Sequence, residues 1–295
     1  MRQLLLLSLL LWYSAGTLAQ PRYVDAHIHW DDRANFVEDL VRVYRKNNAV
    51  ACVSAERQQF DALKAAAKKH PDVIIPFYWI DLDDSDVIEQ IDRAQTAGFK
   101  GLKIHSPLKN YDDPSYFPAF ARAERYRMVA LLHTGISFRP NDKIPRQKGS
   151  MARMRPMYLD TLARAFPELT LIGAHFGNPW YDEAAEAARW NPNLYFDLTG
   201  SSLVKKKDEL AVFKKYLWWG QTSGQEHMPA GTPHAFEKLV FGTDEDPLEL
   251  EKLIAQYNRL LDACAVTEPV RRKVFAETMI RILGLENVPP RSHTK

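Results

Sequence analysis

YVDAHIH, residues 23–29, is the first of eight short apolar runs in this chain of 295 residues. The other seven are strand-like in length and lie at residues 49–55, 73–80, 101–105, 128–134, 170–176, 194–199 and 239–244. Most intervals between the runs place apolar residues at helical spacing, as in FVEDLVRVYRKNN at 36–48. Strands that alternate with helices of this size form a parallel sheet. Eight such units predict an α/β fold, a closed (β/α)8 TIM barrel.

The main alternative to the closed barrel is a doubly wound open sheet. That fold often carries a G-x-G-x-x-G turn after its first strand, and no such turn follows residue 29. We find no internal repeat and no linker that would separate a second domain. Residues 20–295 are therefore predicted to form a single barrel domain, with final helices at roughly 248–264 and 267–284.

The first 19 residues are predicted to be a secretory signal peptide. One basic residue precedes an apolar run at 4–13, small residues follow, and cleavage after Ala19 would leave Thr17 at the third position back. The run is short for a membrane span, and no cysteine lies near the cleavage point to carry a lipid anchor. The mature chain is thus expected to be exported, to a periplasm or outside the cell. The alternative is a buried apolar N-terminal segment.

The composition is that of a soluble globular protein. Hydrophobic residues make up 46% and charged residues 26% of the chain, and 39 basic against 37 acidic residues give a net charge of +2. This balance gives no reason to propose nucleic acid or an anionic membrane as a partner, so we expect a small-molecule partner. The only cysteines, Cys52 and Cys264, are predicted to be two separately buried thiols, although export would permit a disulfide.

His27 and His29 are two residues apart in the first run. In a strand, residues at this spacing point to the same face. Two neutral imidazoles side by side can bind one metal ion. An isolated H-x-H triplet is a weak signal, so the prediction depends on what the other strand ends supply.

Ligand-type side chains recur at the C-terminal ends of the predicted strands, where barrel active sites are built. They are His27, His29, Lys103, His105, His133, His175 and Asp244. Each has a simpler interpretation: His133 and His175 can be hydrogen-bonded core histidines, Lys103 a barrel lysine that reaches solvent, and Asp244 a helix cap. These simpler interpretations would all have to be true at once, each for a residue at a strand end. A shared metal site explains all of the residues together and is therefore favoured.

The order of these motifs resembles that of the amidohydrolase superfamily. The segments GFKGLKIHSP, LLHTG, FPELTLIGAHFGNPW, NPNLYFDLTG and LVFGTDEDP are similar to its amidohydrolase-related branch, which includes aminocarboxymuconate semialdehyde decarboxylase and predicted metal-dependent hydrolases. The resemblance covers nearly all of residues 22–285. It departs from the branch at Thr278, where an asparagine is usual.

The resemblance implies a site. His27, His29, His133 and Asp244 would bind one divalent metal ion, with zinc expected. His175 would be catalytic or would bind a second ion. Lys103 would be either a carboxylated lysine that bridges two ions or a residue that holds a substrate carboxylate.

This ligand set leaves an open position for water on a zinc ion, and Asp244 can accept that water's proton. We therefore expect a metal-dependent hydrolase of an amide, ester or lactone. The alternative is a nonoxidative decarboxylase on the same scaffold. A noncatalytic binding protein is the third hypothesis, and the complete ligand set argues against it.

Three further features concern the substrate. Trp30, next to the H-x-H triplet, can stack on a planar substrate or serve in packing. The loop after the fifth strand is basic, and most of its charges are expected to be solvated, but Arg139 or a neighbour can reach the site and pair with an acidic substrate. Residues 221–233 form an irregular segment that could be a lid.

Overall fold

The computed structural model describes residues 20–137, 149–200, 209–220 and 233–287. Seven parallel strands form one sheet in the order β1 to β7, so each strand lies beside the next one in the chain. The strands are β1 (Tyr23–His29), β2 (Ala49–Ala55), β3 (Ile74–Ile80), β4 (Gly101–Ile104), β5 (Val129–Leu132), β6 (Thr170–Gly173) and β7 (Leu194–Phe196). The predicted α/β barrel architecture is confirmed.

The eighth predicted strand, at 239–244, joins β7 to β1 but is not a regular strand. The Val240 amide donates to the Phe196 carbonyl on β7 (2.9 Å), and the Ala26 amide on β1 donates to the Phe241 carbonyl (2.9 Å). The Phe241 amide, however, donates to the Val274 carbonyl (2.9 Å), outside the sheet. As a result, the segment pairs with β7 through a single parallel β-bridge, between Phe196 and Leu239, rather than through a continuous ladder of hydrogen bonds. We call residues 239–244 the closing segment.

Helices connect the strands on the outside of the barrel. They are α1 (Phe36–Lys46), α2 (Phe60–Lys69), α3 (Val87–Thr96), α4 (Phe117–Arg125), α5 (Met157–Ala165), α6 (Tyr181–Trp190), α7 (Phe213–Tyr216), α8 (Leu250–Ala263), α9 (Glu268–Arg272) and α10 (Thr278–Leu283). The two predicted final helices correspond to α8 and to α9–α10, which a π-helical turn at Lys273–Glu277 connects. In the described part of the chain, none of the helices combines the length and the apolar character that a membrane crossing requires.

The core has two layers because strand side chains alternate between faces. One layer fills the barrel interior and includes Ile75 and Phe77 of β3, and the other lies between strands and helices. A Cβ atom on Gly101 of β4 would lie 2.5 Å from the Phe77 ring, so this glycine leaves room for the ring. Cys52 and Cys264 are both buried and unpaired, as predicted.

An irregularity in β1 decides where its histidines point. Asp25 pairs with Ala51 of β2, whereas Ile28 pairs with Val53, so three steps along β1 match two along β2. Ala26 lies in the inner layer and Ile28 in the outer layer, although their spacing would put them on the same face of a regular strand. This bulge turns His27 and His29 toward the barrel interior, and bulges of this kind are common next to active sites.

Candidate metal centre

The predicted site residues come together at the C-terminal end of the barrel. His27 and His29 end β1, His105 and His133 directly follow β4 and β5, and His175 follows β6. The other two members are Lys103, within β4, and Asp244, on the closing segment.

The tightest group consists of His27, His29 and Asp244. The Nε2 atoms of the two histidines are 3.1 Å apart, and Asp244 Oδ1 lies 3.4 Å from His27 Nε2 and 3.1 Å from His29 Nε2. Ligand atoms about 2.0–2.1 Å from a tetrahedral zinc ion are about 3.3 Å from one another. The donor types and their spacing therefore fit one divalent cation, and these three residues have ligand atoms that all lie within 4.8 Å.

His133 and His175 form a second pair next to this group. His175 Nε2 lies 3.1 Å from His133 Nδ1 and 3.9 Å from Asp244 Oδ2. The Asp244 carboxylate thus directs Oδ1 to the first group and Oδ2 toward the second pair. His133, predicted as a ligand of the first ion, is in direct contact with His175, and its ligand role stays a prediction.

The four histidines have the same arrangement of hydrogen bonds. One ring nitrogen of each is bonded to an oxygen outside the cluster, and the other faces the cluster. The outer nitrogens of His27, His29, His133 and His175 lie 2.9, 3.0, 3.0 and 2.7 Å, respectively, from Asp197 Oδ2, Ser54 Oγ, the Ile136 carbonyl and the Thr199 carbonyl. Such bonds fix the tautomer and the ring orientation and leave the inner nitrogen with a lone pair for a metal ion.

Burial keeps the imidazoles of His29, His105 and His133 in the neutral form that binds metal. It lowers the pKa of His29 to about 4 and the pKa of His105 to about 3, and it places the pKa of His133 well below its ordinary value. At neutral pH these rings therefore do not have to lose a proton before they can bind an ion.

Lys103 contributes a buried amine to the same cluster. Its Nζ atom donates to His27 Nε2 at 2.7 Å, and the residue is 1% exposed. Burial lowers the pKa of this amine to about 8, against the opposing effect of the carboxylates of Asp244 and Asp197. The two roles predicted for Lys103, as a bridging ligand or as a partner of a substrate carboxylate, stay predictions.

The helix-cap interpretation of Asp244 does not hold, because Asp246 performs that function. The Asp246 side chain accepts from the Leu248 amide at 2.9 Å and caps the turn Pro247–Glu249 that leads into α8. Asp244 has a φ of 52° and faces the histidines. Burial raises its pKa, but the interactions with His27, His29 and Lys103 outweigh this effect and hold the pKa well below its usual range.

Asp197 at the end of β7 is a residue that the sequence interpretation missed. Its Oδ2 atom bonds the His27 ring, and its Oδ1 atom accepts from the amide of His175 (2.9 Å) and from the amide and hydroxyl of Thr199 (3.0 and 2.7 Å). Burial raises its pKa, but its interactions with His27 outweigh this effect and lower the pKa to about 2. The position at a strand end, inside the segment NPNLYFDLTG, was the signal that could have identified it.

Asp25 is a second missed carboxylate and ties β1 to the closing segment. It accepts from the His27 amide (3.0 Å), from the Thr243 amide and hydroxyl (3.0 and 2.7 Å) and from the Tyr44 hydroxyl (2.5 Å). Burial raises its pKa to about 6. Asp25 thereby fixes the backbone beside His27 and beside Asp244.

The remaining predicted substrate-binding residues have different outcomes. The Trp30 indole packs on Phe36, with ring centroids 5.4 Å apart, and its N–H donates to Asp32 at 2.9 Å. Arg139 and residues 221–232 of the predicted lid lie outside the described residues, and so does the predicted signal peptide. Trp79, which was not singled out, lies next to His29, with ring centroids 5.0 Å apart.

Comparisons with known proteins identify the family and the fold. The amidohydrolase family model matches residues 24–285. Among solved structures, an uncharacterised TIM-barrel protein from Bordetella bronchiseptica is 15% identical, with 90% of this chain and 99% of that chain covered and a TM-score of 0.61. A search of curated protein sequences gave no match.

Two further solved structures are enzymes of different types. A 2,6-dihydroxybenzoate decarboxylase from Rhizobium is 15% identical, with coverage of 90% and 99% and a TM-score of 0.58. A probable 2-pyrone-4,6-dicarboxylic acid hydrolase from Acinetobacter baumannii is 12% identical, with coverage of 89% and 99% and a TM-score of 0.56. At these identities the likeness shows the shared barrel fold alone.

Proposed function

This chain belongs to the amidohydrolase family, a family of metal-dependent enzymes, and on that premise we propose that it is a hydrolase of a small molecule. The bond that it cleaves is an amide, ester or lactone. The metal that we propose is zinc, because imidazole and carboxylate ligands in this spacing suit that ion.

The position of the Asp244 carboxylate supports hydrolysis best. Its Oδ1 atom lies 3.1 Å from His29 Nε2, within the donor group, whereas Oδ2 is directed toward His175 at 3.9 Å. One oxygen can therefore serve as a ligand while the other accepts a proton from an attacking water. A general base held in this way contributes a factor of roughly 10²–10⁴ in rate.

His175 completes the proton transfer. Its Nδ1 atom lies 2.7 Å from the Thr199 carbonyl, which holds the proton on that nitrogen and leaves Nε2 as the site that gains and loses a proton. Nε2 faces Asp244, so the proton taken from water can pass to the leaving group. A bound divalent cation supplies Lewis-acid polarisation of the bond to be cleaved and lowers the pKa of the attacking water.

A decarboxylase is the second candidate, and Lys103 favours it. Its buried amine faces the same cluster and could hold the carboxylate of an acidic substrate next to His27. Arg139, predicted to pair with such a substrate, would add a second positive charge. The two reactions require the same side chains and differ in the product.

A combined experiment tests both candidates. Purified protein is analysed for bound metal, loaded with zinc or manganese, and screened with small amides, esters, lactones and carboxylic acids for acid release and for carbon dioxide release. Acid release that depends on the metal supports the hydrolase. Carbon dioxide release that depends on the metal and is not accompanied by acid release from an amide, ester or lactone supports the decarboxylase. Protein that takes up no metal, or that binds metal and converts no member of the screen, contradicts the proposal.

We further propose that the mature enzyme is exported to a periplasm or outside the cell. The apolar run at 4–13 and the small residues after it support this proposal. Mass spectrometry of the protein from its native host should show an N-terminus near Gln20. A chain that keeps Met1 and stays in the cytoplasm would contradict it.

A further inference from the structure

The hydroxyl of Thr199 lies between two rings of the metal centre. Its Oγ1 atom is 3.0 Å from His175 Nδ1 and 3.3 Å from His27 Nδ1, and the residue is 1% exposed. These are the outer nitrogens of the two rings, which do not face the cluster. One side chain therefore contacts both a member of the tight donor group and the histidine to which the proposed function gives the proton transfer.

The third neighbour of the hydroxyl decides where its proton points. Oγ1 lies 2.7 Å from Asp197 Oδ1, and Asp197, with a pKa of about 2, is ionised at neutral pH and can only accept. The hydroxyl therefore donates to Asp197, and its lone pairs remain for the Nδ1–H groups of His27 and His175. Each N–H has a closer acceptor of its own, so the hydroxyl is the acceptor that the two rings share.

The surroundings of Thr199 hold its side chain in one orientation. A Cβ atom on Gly242 of the closing segment would lie 3.1 Å from Thr199 Cγ2 and 3.1 Å from His27 Cβ, so this glycine leaves just enough room for both. The Thr199 amide donates to Asp197 Oδ1 at 3.0 Å. With its backbone bonded and its methyl group confined, the side chain keeps its hydroxyl against the two rings.

From these contacts we infer that Thr199 is a positioning residue, which sets the orientation of the His27 and His175 rings relative to each other. The inference deepens the proposed function and rests on it. A fixed angle between the rings keeps the metal-binding nitrogen of His27 in a constant place relative to the nitrogen of His175 that gains and loses a proton. In this role Thr199 touches neither the metal nor the substrate and acts through the two rings alone.

Three substitutions at Thr199 separate the hydroxyl from the methyl group. Thr199→Ser keeps the hydroxyl and removes the methyl group. Thr199→Val puts a methyl group in place of the hydroxyl, 3.0 Å from the His175 nitrogen. Non-bonded carbon contacts need about 3.5–4.0 Å, so the ring has to move, and its N–H loses the shared acceptor. Thr199→Ala removes both groups without this clash and takes the place of Thr199→Val if that protein does not fold.

Two measurements on each variant require no substrate. Competition against a zinc chelator gives the metal affinity, and the visible absorption spectrum of the cobalt(II)-loaded protein reports the geometry of the ligands around the ion. We expect Thr199→Val to bind zinc about 10- to 100-fold more weakly, as loss of a partner behind a ligand usually causes, and to shift the cobalt absorption bands. Thr199→Ser should keep the affinity and the spectrum of the unmodified protein.

A third measurement follows the effect on His175. With a substrate found in the screen, turnover of Thr199→Val is measured at a zinc concentration that saturates the site, so that weaker metal binding no longer contributes. Turnover should still be lower than in the unmodified protein, because His175 has also lost its orientation, and Thr199→Ser should restore it. Equal turnover of Thr199→Val and the unmodified protein would contradict the role of Thr199 toward His175.

Thr278→Val is the matched control. Thr278 is also a buried threonine, but it lies on α10, and within the described part of the chain its hydroxyl bonds none of the histidines of the cluster. This variant should keep the affinity and the spectrum. An unchanged affinity and spectrum in Thr199→Val, or a Thr199→Ser protein that loses as much as Thr199→Val, would overturn the inference.

The outcome is separable from that of the proposed function. Metal affinity and the cobalt spectrum are measured without turnover, whereas the proposed hydrolysis depends on product release. A protein that hydrolyses a substrate and whose Thr199→Val variant keeps its affinity and spectrum contradicts only the inference about Thr199. A protein in which Thr199→Val weakens metal binding, but which releases no product in the screen, contradicts only the proposed hydrolysis.

Discussion

His27 Nδ1 lies 2.9 Å from Asp197 Oδ2, and both side chains are fully buried. The same carboxylate holds the His175 amide through its other oxygen. Asp197 therefore orients a member of the tight donor group and a member of the second histidine pair at once. Partners of this kind, which do not touch the metal, determine how strongly the ligands bind it.

We expect Asp197→Asn to lower metal affinity by a factor of about 10–100. The amide has one oxygen, whereas Asp197 accepts on both of its oxygens. If the NH2 group faces His27, it donates to Nδ1 and moves the ring proton to Nε2, the nitrogen that binds metal. If the NH2 group faces away from His27, it meets the backbone N–H groups of His175 and Thr199, so that donors face donors and those hydrogen bonds are lost. Competition against a zinc chelator measures the affinity.

Asp160→Asn is the matched control for this substitution. Asp160 also accepts hydrogen bonds, from Arg164 and Asn191, but it lies on α5, away from the cluster. Metal affinity should be unchanged in that variant. An Asp197→Asn protein that retains the full affinity would show that the bond to His27 has no role in metal binding.

For Asp244→Asn we expect turnover to fall by a factor of roughly 10² or more while the fold is retained. Asparagine preserves the shape and one oxygen ligand, but its amide cannot accept the proton that Oδ2 takes. Turnover and melting temperature are measured on the same protein. Asp246→Asn is the control, because asparagine caps a helical turn about as well as aspartate, and it should remain active. Near-normal turnover in Asp244→Asn would remove this residue from the mechanism.

For His29→Ala we expect loss of the bound ion. Removing one of three close donors leaves His27 and Asp244, which are too few to hold zinc firmly. Elemental analysis should find about one divalent ion per chain in the unmodified protein and almost none in the variant. His70→Ala, which alters a histidine beside Arg45 at the end of α2, should keep its ion. Equal metal content in the two variants would contradict the assignment of His29.

The barrel could be predicted from the sequence because its signal is periodic. Eight apolar runs separated by amphipathic helices leave few topologies, and the C-terminal strand ends then locate His133, His175 and Asp244 without further information. The direction of His27 and His29 could not be predicted in the same way. Val24 and Ala26 face the barrel interior, and a regular β1 strand would put both histidines on the opposite, outer face. The bulge between Asp25 and Ile28 turns the histidines to the inner face instead.

Other features were missed because they depend on contacts between distant residues. The closing segment is irregular since the Phe241 amide bonds Val274, which is more than thirty positions away in the sequence. Asp197 was overlooked because an aspartate after a strand is common, and its importance is evident only from its contact with His27. Trp79 reads as an ordinary strand residue until its distances to His29 and His105 are known.

The last prediction concerns Lys238, which is buried away from the metal centre. Its Nζ atom donates to the carbonyls of Asn191 (2.8 Å) and Pro192 (3.0 Å) and lies 4.3 Å from the centre of the Tyr195 ring. Burial, assisted by the positive charge of Arg281, lowers the pKa of this amine to about 7 from 10.5. Between these two pH values the unfolded chain holds a proton that the folded protein has released.

Because the unfolded state binds more protons in that interval, the free energy of unfolding gains a contribution that rises with pH from about 7 to about 10, by up to about 1.4 kcal/mol per pH unit. Lys238→Met keeps the length of the side chain and removes the titrating group, so the variant should lack this contribution. Denaturant unfolding of both proteins at several pH values in the interval gives the slopes, and the comparison uses their difference, because all other titrating groups are shared. Below about pH 7 the two curves should run parallel. Curves that stay parallel up to about pH 10 would mean that Lys238 keeps its proton in the folded protein, held by the two carbonyls and the Tyr195 ring.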